Sequence, residues 1–291
     1  MSSSQLIPNQ PLAEYTSWRV GGPADFVYIP KDSEDLALFL KDLDPEVPVL
    51  WLGLGSNVLI RDGGVPGVVI VTQGALSELS AVEPTRIRAE AGVGCAQLAR
   101  YSARLSLKGI EFMAGIPGTV GGALAMNAGC WGGETWEHVH SVEVINRSGE
   151  RKIRLAKDYK PSYRTVAHPV EQEWFLAGYF DLSKGDKVQS LNEIRTLLEK
   201  RSAAQPTGLP NCGSVFRNPE GDYAARLIEQ CGLKGKKIGD AVVSEKHANF
   251  IINEGKAKSA DIEQLIQEVA ETVEKRFGIK LIREVHIIGR P

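Results

Sequence analysis

Gly115-Ile116-Pro117-Gly118-Thr119-Val120-Gly121-Gly122-Ala123 packs four glycines and a proline into nine residues. Glycine costs about 1 kcal/mol against alanine inside a helix and proline about 3, so the stretch reads as neither helix nor strand interior. It reads as a loop that aims backbone amides, with Thr119 adding a hydroxyl. Asn127-Ala128-Gly129-Cys130-Trp131-Gly132-Gly133 follows at once. Upstream, Trp51-Leu52-Gly53-Leu54-Gly55-Ser56-Asn57-Val58-Leu59-Ile60 runs a strand into a tight turn. Glycines let amides approach an anion closely, and Ser56 and Asn57 add donors. Either loop alone also reads as a turn without a ligand. Two in one domain strengthen the case for a phosphate-bearing ligand.

Two common phosphate motifs are excluded. Val58 stands where a dinucleotide-binding fingerprint needs its third glycine, and no G-x-x-x-x-G-K-[ST] occurs. Gly232-Leu233-Lys234-Gly235-Lys236-Lys237 lacks that spacing, and its lysines read as a solvated face.

Outward from the loops, strands are short and bounded by glycine or proline: 24–29, 49–52, 68–71, 86–91 and 141–146. Helices are expected at 33–43, with Ser33 as N-cap, and at 95–105. A longer helix at 188–205 meets Pro206, Gly208 and Pro210, which mark a boundary near 203–210. Beyond it lie a helix at 223–231, a strand at 248–253, a helix at 261–277 stopped by Gly278, and a last strand at 280–288. This mixture argues an α+β or α/β chain rather than a bundle.

The 291 residues suffice for two or three modest domains. With 43% hydrophobic and 24% charged residues and a net charge of −2, the chain reads as an ordinary folded protein without a broad nucleic-acid surface. No apolar run approaches the roughly 18 residues of a membrane span, and the N-terminus carries no signal-peptide pattern. Cys95, Cys130, Cys212 and Cys231 form no C-x-x-C pair. They read as small buried residues in a reducing compartment, so a cytoplasmic protein without a bound metal is expected.

Two further segments stand out. Tyr163-Arg164 follows Asp158-Tyr159-Lys160-Pro161-Ser162. Asn211-Cys212-Gly213-Ser214-Val215-Phe216-Arg217-Asn218-Pro219 presents a serine behind a glycine, without the hydrolase pattern G-x-S-x-G. Taken alone, each reads as structural.

Together and in order, these segments resemble the UDP-N-acetylenolpyruvoylglucosamine reductase family over nearly the whole chain. The resemblance also takes in Thr16-Ser17-Trp18-Arg19-Val20-Gly21-Gly22, Ser244-Glu245-Lys246-His247-Ala248-Asn249-Phe250-Ile251 and Arg283-Glu284-Val285. It implies an α+β fold: a two-subdomain FAD-binding fold of the vanillyl-alcohol-oxidase type plus a C-terminal α+β substrate-binding domain. The expected divisions are 1–73, 74–203 and 204–291, the last strand returning Glu284 to the flavin site.

The resemblance also implies the chemistry. NADPH reduces a non-covalently held FAD, hydride passes to C3 of the enolpyruvyl group, and a proton is added at C2. It assigns Ser214 as proton donor. Arg164 and Glu284 go to the substrate carboxylate, the Glu284 carboxyl protonated or sharing a proton. Gly53, Leu54, Gly55, Ser56, Asn57 and Val58 fall where the family holds FAD. So do Ile116, Pro117, Gly118, Thr119, Gly121 and Gly122. Tyr163, Arg217 and Asn218 fall near the UDP-sugar.

This chain departs from the pattern at two positions. Trp131 stands where the family commonly has tyrosine, and His286 where it commonly has arginine. His286, two residues past Glu284 on one face of the expected strand, could still reach the diphosphate. Were the flavin covalently attached, Cys130 would be the nearby candidate; no such bond is expected. Arg164 and Ser214 lie 50 positions apart (214 − 164). That is too short for the substrate-closing tyrosine loop of one branch, so the chain resembles the other branch. The expected partners are the UDP-sugar and NADPH, with no nucleic acid or membrane, and the chain is expected to be a monomer. Two alternatives are another FAD oxidoreductase of the same superfamily and a flavin-binding module without activity. Ser214 and Glu284 argue against the first. Intact Arg164, Ser214 and Glu284 argue against the second.

Overall fold

The computed structural model describes residues 3–291. They form two compact units, neither continuous in sequence: up to Ile7, Val27–Leu54 and Val68–Lys200 in the first; Pro8–Phe26, Gly55–Gly67 and Arg201–Pro291 in the second.

The first unit is built on a five-stranded antiparallel sheet. Its order is Arg151–Leu155, Val139–Asn146, Glu173–Asp181, Arg86–Glu90, Leu79–Glu83. Val139–Asn146 does not alternate strictly, because Ser141 and Val142 are both buried, as are Val144 and Ile145. Two register shifts against Glu173–Asp181 turn the side chains between faces, as bulges do. Val142 and Val144 thereby enter a core with helices α2 (Cys95–Arg104) and α3 (Val120–Met126), while Ile145 joins Leu36, Leu40 and Leu176 in another. Leu36 and Leu40 come from α1 (Ser33–Asp42). Its cap is Asp32, not Ser33: the Asp32 backbone is extended, and its carboxylate accepts from the amides of Glu34 and Asp35. Val49–Leu52 pairs in parallel with Val68–Val71 and delivers the chain to Gly53.

Part of the glycine-rich loop is helical, contrary to its composition, since α3 contains Gly121 and Gly122. Tertiary bonds override propensity there. Thr119 caps the helix through the Gly122 amide, and Val120 and Gly121 donate to Val93 and Ala91 at 2.8 and 2.9 Å. A methyl at Gly121 would lie 2.8 Å from the Ala91 side chain, so the close approach requires glycine.

The second unit packs a three-stranded sheet, Lys237–Ile238, Ala241–Val243 and Ile251–Asn253, with α6 (Ser259–Phe277). Ile262, Leu265, Ile266, Val269 and Val273 of α6 enter a core shared with fully buried Trp18. The helix starts two residues earlier than its periodicity predicts. Its cap is remote: the Asp62 carboxylate accepts from the Ser259 and Ala260 amides. Gly278 closes it with left-handed backbone, as expected. α4 (Lys187–Ala204) and α5 (Ala224–Gln230) lie within a residue of their expected ends.

The expected strands at 248–253 and 280–288 shrink to Ile251–Asn253 and His286–Ile288. His286–Ile288 pairs in parallel with Val58–Ile60, and Arg283 makes only a single bridge to Phe216. Glu284 therefore precedes the strand, and it shares no strand face with His286. The loop lysines are ion-paired, Lys234 with Glu229, Lys236 with Glu268 and Lys237 with Glu254.

Across the large sheet, Glu143 accepts from Arg88 at 2.7 and 2.9 Å and from the Tyr179 hydroxyl at 2.6 Å. The Arg88 guanidinium, foremost, holds its carboxyl below the usual range against the opposing effect of burial. A lowered carboxyl pKa stabilises the fold above the unfolded value of ~4.3, and that contribution disappears as pH falls through the folded value. Glu143→Gln should therefore flatten the loss of stability from about pH 5 downward. Urea midpoints measured against pH for both proteins check this; parallel curves would exclude the contribution.

Candidate active site

In the first unit the two glycine-rich loops meet. A methyl at Gly53 would lie 2.3 Å from Thr119 Oγ1. Gly53, Gly121 and Gly122 line one cavity of about 470 Å³, with Ala91, Ala125 and Thr72. These walls carry little beyond backbone, and the volume falls in the range of small-molecule sites, about 300–1,000 Å³. Trp51 and Trp174, stacked at 5.3 Å, and the 168–173 segment complete the lining. Glu173 is buried and held by Arg154 through two bonds of 2.6 Å. His168 packs on Tyr159 and Phe175, and burial pushes it below the usual histidine range. Sequence reasoning missed Thr72, Trp174 and the 168–173 segment, which carries neither periodicity nor glycine pattern.

Much of the second loop's amide capacity is already used. Ile116 donates to Met113, Gly118 to Ile116, and Val120 and Gly121 to the Val93 and Ala91 carbonyls. Gly122 reaches Thr119 Oγ1 at 3.4 Å, a long bond that an anion could share. Pro117 is exposed and has no amide hydrogen to donate.

Arg164 sits in the two-residue turn of a hairpin between Lys160–Ser162 and Thr165–Ala167. Its φ of +55° is left-handed, a conformation costing a non-glycine residue of the order of 1–3 kcal/mol. Its guanidinium donates to the Gly129 carbonyl at 3.3 Å and lies 5.2 Å from the ring centre of exposed Tyr163. Trp131, also left-handed at +51°, lays its ring over Gly115, where a methyl would lie 2.1 Å away. Cys130 is half-buried, and its thiol donates to the Phe112 carbonyl. Tyr179 is the one tyrosine between Arg164 and Ser214 in sequence. It lies within the sheet strand Glu173–Asp181, bonded to Glu143.

In the second unit, Ser214 and Glu284 are brought side by side by backbone bonds. The Glu284 amide donates to the Val215 carbonyl at 2.8 Å, and Arg217 donates to Ile282 at 2.9 Å. Gly213, at φ +74°, turns the chain into Ser214, with its amide on the Asn211 side chain. Buried Asn249 fixes the next residues. Its side chain accepts from the Phe216 amide at 3.0 Å and donates to the Phe216 carbonyl at 2.8 Å. The Asn249 carbonyl takes the Val215 amide at 2.9 Å. Asn57 joins this group, its Nδ2 donating to the Glu284 carbonyl at 3.3 Å and its own carbonyl accepting from His286 at 3.1 Å. Ser56 and Val58 flank it, both part-exposed, as is Leu54 at the end of the first unit's Val27–Leu54 segment. A methyl at Gly55 would collide with the Tyr15 carbonyl at 2.1 Å. Asn218 accepts from the Ala224 amide at the start of α5, and His286 is exposed. Asn249 lay inside a recognised motif, but its role needed the fold.

A family model described as "FAD binding domain" matches residues 24–153, and a second, "UDP-N-acetylenolpyruvoylglucosamine reductase, C-terminal domain", matches 205–288. A UDP-N-acetylenolpyruvoylglucosamine reductase from Legionella pneumophila is 58% identical over 289 residues, spanning 99% of this chain and 94% of the relative. One from Coxiella burnetii is 53% identical over 305 aligned positions, spanning 98% and 96%. The crystal structure of the reductase from Thermus caldophilus superposes with a TM-score of 0.83 at 30% identity, covering 99% of this chain and all of that one. The chain is thus an FAD-dependent oxidoreductase with an α+β fold. It belongs to the UDP-N-acetylenolpyruvoylglucosamine reductase family. Such enzymes use NADPH to reduce the enolpyruvyl-sugar nucleotide in peptidoglycan synthesis.

Gly53→Ala should displace Thr119, costing about 1 kcal/mol of capping and weakening flavin retention. Thr119→Ala in the same protein should recover part of the retention, because the clash is gone. Visible flavin absorbance after gel filtration checks this; equal loss in both variants would mean the clash is not the cause.

Proposed function

We propose that Ser214, Glu284 and Arg164 carry the reduction of the enolpyruvyl group. The observation that carries this reading is the bond from the Glu284 amide to the Val215 carbonyl, which fixes an acid beside the candidate proton donor. Bound FAD supplies the hydride, taken from NADPH and delivered to C3. Negative charge then grows on C2 and its carboxylate. Arg164 stabilises that charge, and preorganised donors of this kind act where charge develops. Glu284 meets the same carboxylate through a shared proton, since two bare carboxylates would repel. Ser214 gives its proton to C2; a hydroxyl is a weak acid, but an enolate carbon is a strong base.

The small-walled cavity and the Gly53–Thr119 contact support non-covalent FAD binding by Gly53 to Val58 and by Ile116 to Gly122. In this reading residues 1–73 and 74–203 hold the cofactor and 204–291 the sugar nucleotide. Trp131, Tyr163, Arg217, Asn218 and His286 contact that substrate. Tyr179 is committed to the sheet, which favours an active site covered by elements other than a tyrosine loop. The enzyme works as a cytoplasmic monomer, supplying a wall precursor on which cell shape and division depend. No helix among the described residues is long and apolar enough to cross a membrane.

Ser214→Ala should leave flavin reduction by NADPH nearly untouched and slow reoxidation by the enolpyruvyl substrate about 10²- to 10⁴-fold, the usual contribution of one general acid. Ser214→Cys should keep more activity, because a thiol also donates a proton. Stopped-flow measurement of each half-reaction separates the outcomes; equal slowing of both would make Ser214 structural.

A further inference from the structure

The hairpin carrying Arg164 has little holding it from within. Its strands, Lys160–Ser162 and Thr165–Ala167, form a two-stranded sheet of three residue pairs. Such ribbons are marginal by themselves. The turn also bears the left-handed Arg164. Its placement must come from outside the hairpin.

Val166 of the second strand is buried in the core, and a buried polar side chain reaches the turn. Asn127 is 2% exposed. Its Nδ2 donates to the Ser162 carbonyl, immediately before the turn, at 3.3 Å, and to Glu134 Oε2 at 2.7 Å. Its Oδ1 accepts from the Trp136 amide at 3.2 Å. Both amide hydrogens and the carbonyl are therefore engaged. Two residues on, the Gly129 carbonyl takes the Arg164 guanidinium. The 127–129 segment thus grips the hairpin just before its turn and within it, at the backbone and at the cation. It is itself anchored in the core: Ala128 donates to Ala123, and the Ala128 carbonyl accepts from both the hydroxyl and the amide of Thr135.

We propose that Asn127 is a positioning residue for Arg164, holding the hairpin turn so that the guanidinium meets the substrate carboxylate. This rests on the role given to Arg164 above. A second role competes with it. Asn127 also closes α3 with left-handed backbone at φ +40°, a conformation that asparagine tolerates and glycine adopts freely. Glycine would serve the cap equally well and drop every bond to Ser162, Glu134 and Trp136. Asn127→Gly separates the roles.

The test uses the FAD-loaded enzyme and stopped-flow half-reactions. Asn127→Gly should retain flavin and be reduced by NADPH at the normal rate. Its reoxidation by the enolpyruvyl substrate should slow about 10- to 100-fold, the scale of a misplacement near 1 Å. In an Arg164→Ala background the same substitution should add no further slowing. Glu134→Ala, at an exposed acceptor, gives a second route if Asn127→Gly folds poorly. It should slow reoxidation in the same sense, whereas Glu134→Gln, which keeps an acceptor, should restore most of the rate.

Equal fold-slowing by Asn127→Gly with and without Arg164 would overturn the positioning role while leaving the role of Arg164 intact. So would slowing of both half-reactions, or a normal reoxidation rate. If Arg164→Ala itself leaves reoxidation unchanged, both readings fail.

Discussion

The Asn249 side chain donates to and accepts from one residue, Phe216, and this exchange takes the place of a strand that never forms. A buried carboxamide in an apolar core is costly unless every polar atom is paired. Here that cost enforces geometry: any path of the chain that lost Phe216 would strand a buried amide. Ser214 is two residues from this clamp, and Glu284 is bonded to the residue between. The same device recurs in each unit. Asn253 ties the Trp18 carbonyl to the Gly255 and Ala257 amides, and Asn127 ties Ser162, Glu134 and Trp136.

Buried amides suit this task because the segments carrying Ser214 and Arg164 are not regular. A residue paired within a sheet ladder commits its backbone to neighbours and its side chain to a fixed alternation. The chain around Ser214 instead needs a left-handed Gly213, and the turn at Arg164 needs a left-handed arginine. Irregular backbone must find partners elsewhere, and a side-chain amide offers a donor and an acceptor at once. The rigid frame is supplied separately, by the bulged sheet and its Arg88–Glu143 bonds in the first unit and by α6 in the second.

The cavity in the first unit follows the same economy. Its walls at Gly53, Ala91, Gly121 and Gly122 come from segments pressed together until no Cβ fits between Gly53 and Thr119. Small side chains leave backbone as the lining, and backbone recognises phosphate and ring edges without adding bulk. Two tryptophans stacked at 5.3 Å also line it.

The sequence alone narrowed the class to α+β or α/β and determined most helices to within a residue or two and the order of motifs that marks the family. Those features depend on local periodicity, capping and glycine placement, which neighbouring residues decide. Through the family resemblance it also named Arg164, Ser214 and Glu284 as candidates. Tertiary structure decided the rest. It made Gly121 and Gly122 helical through bonds to Ala91 and Thr119, and it capped α6 with Asp62, 197 positions away. It shortened the last strand because Arg283 finds only one bridge, and it divided the chain into units that interleave in sequence. Nor could a linear reading show that Asn127 and Asn249 hold the segments that carry Arg164 and Ser214. A hydrogen bond between residues 35 or 33 positions apart leaves no periodic trace in either stretch, and only the packed chain brings its two ends within 3.5 Å.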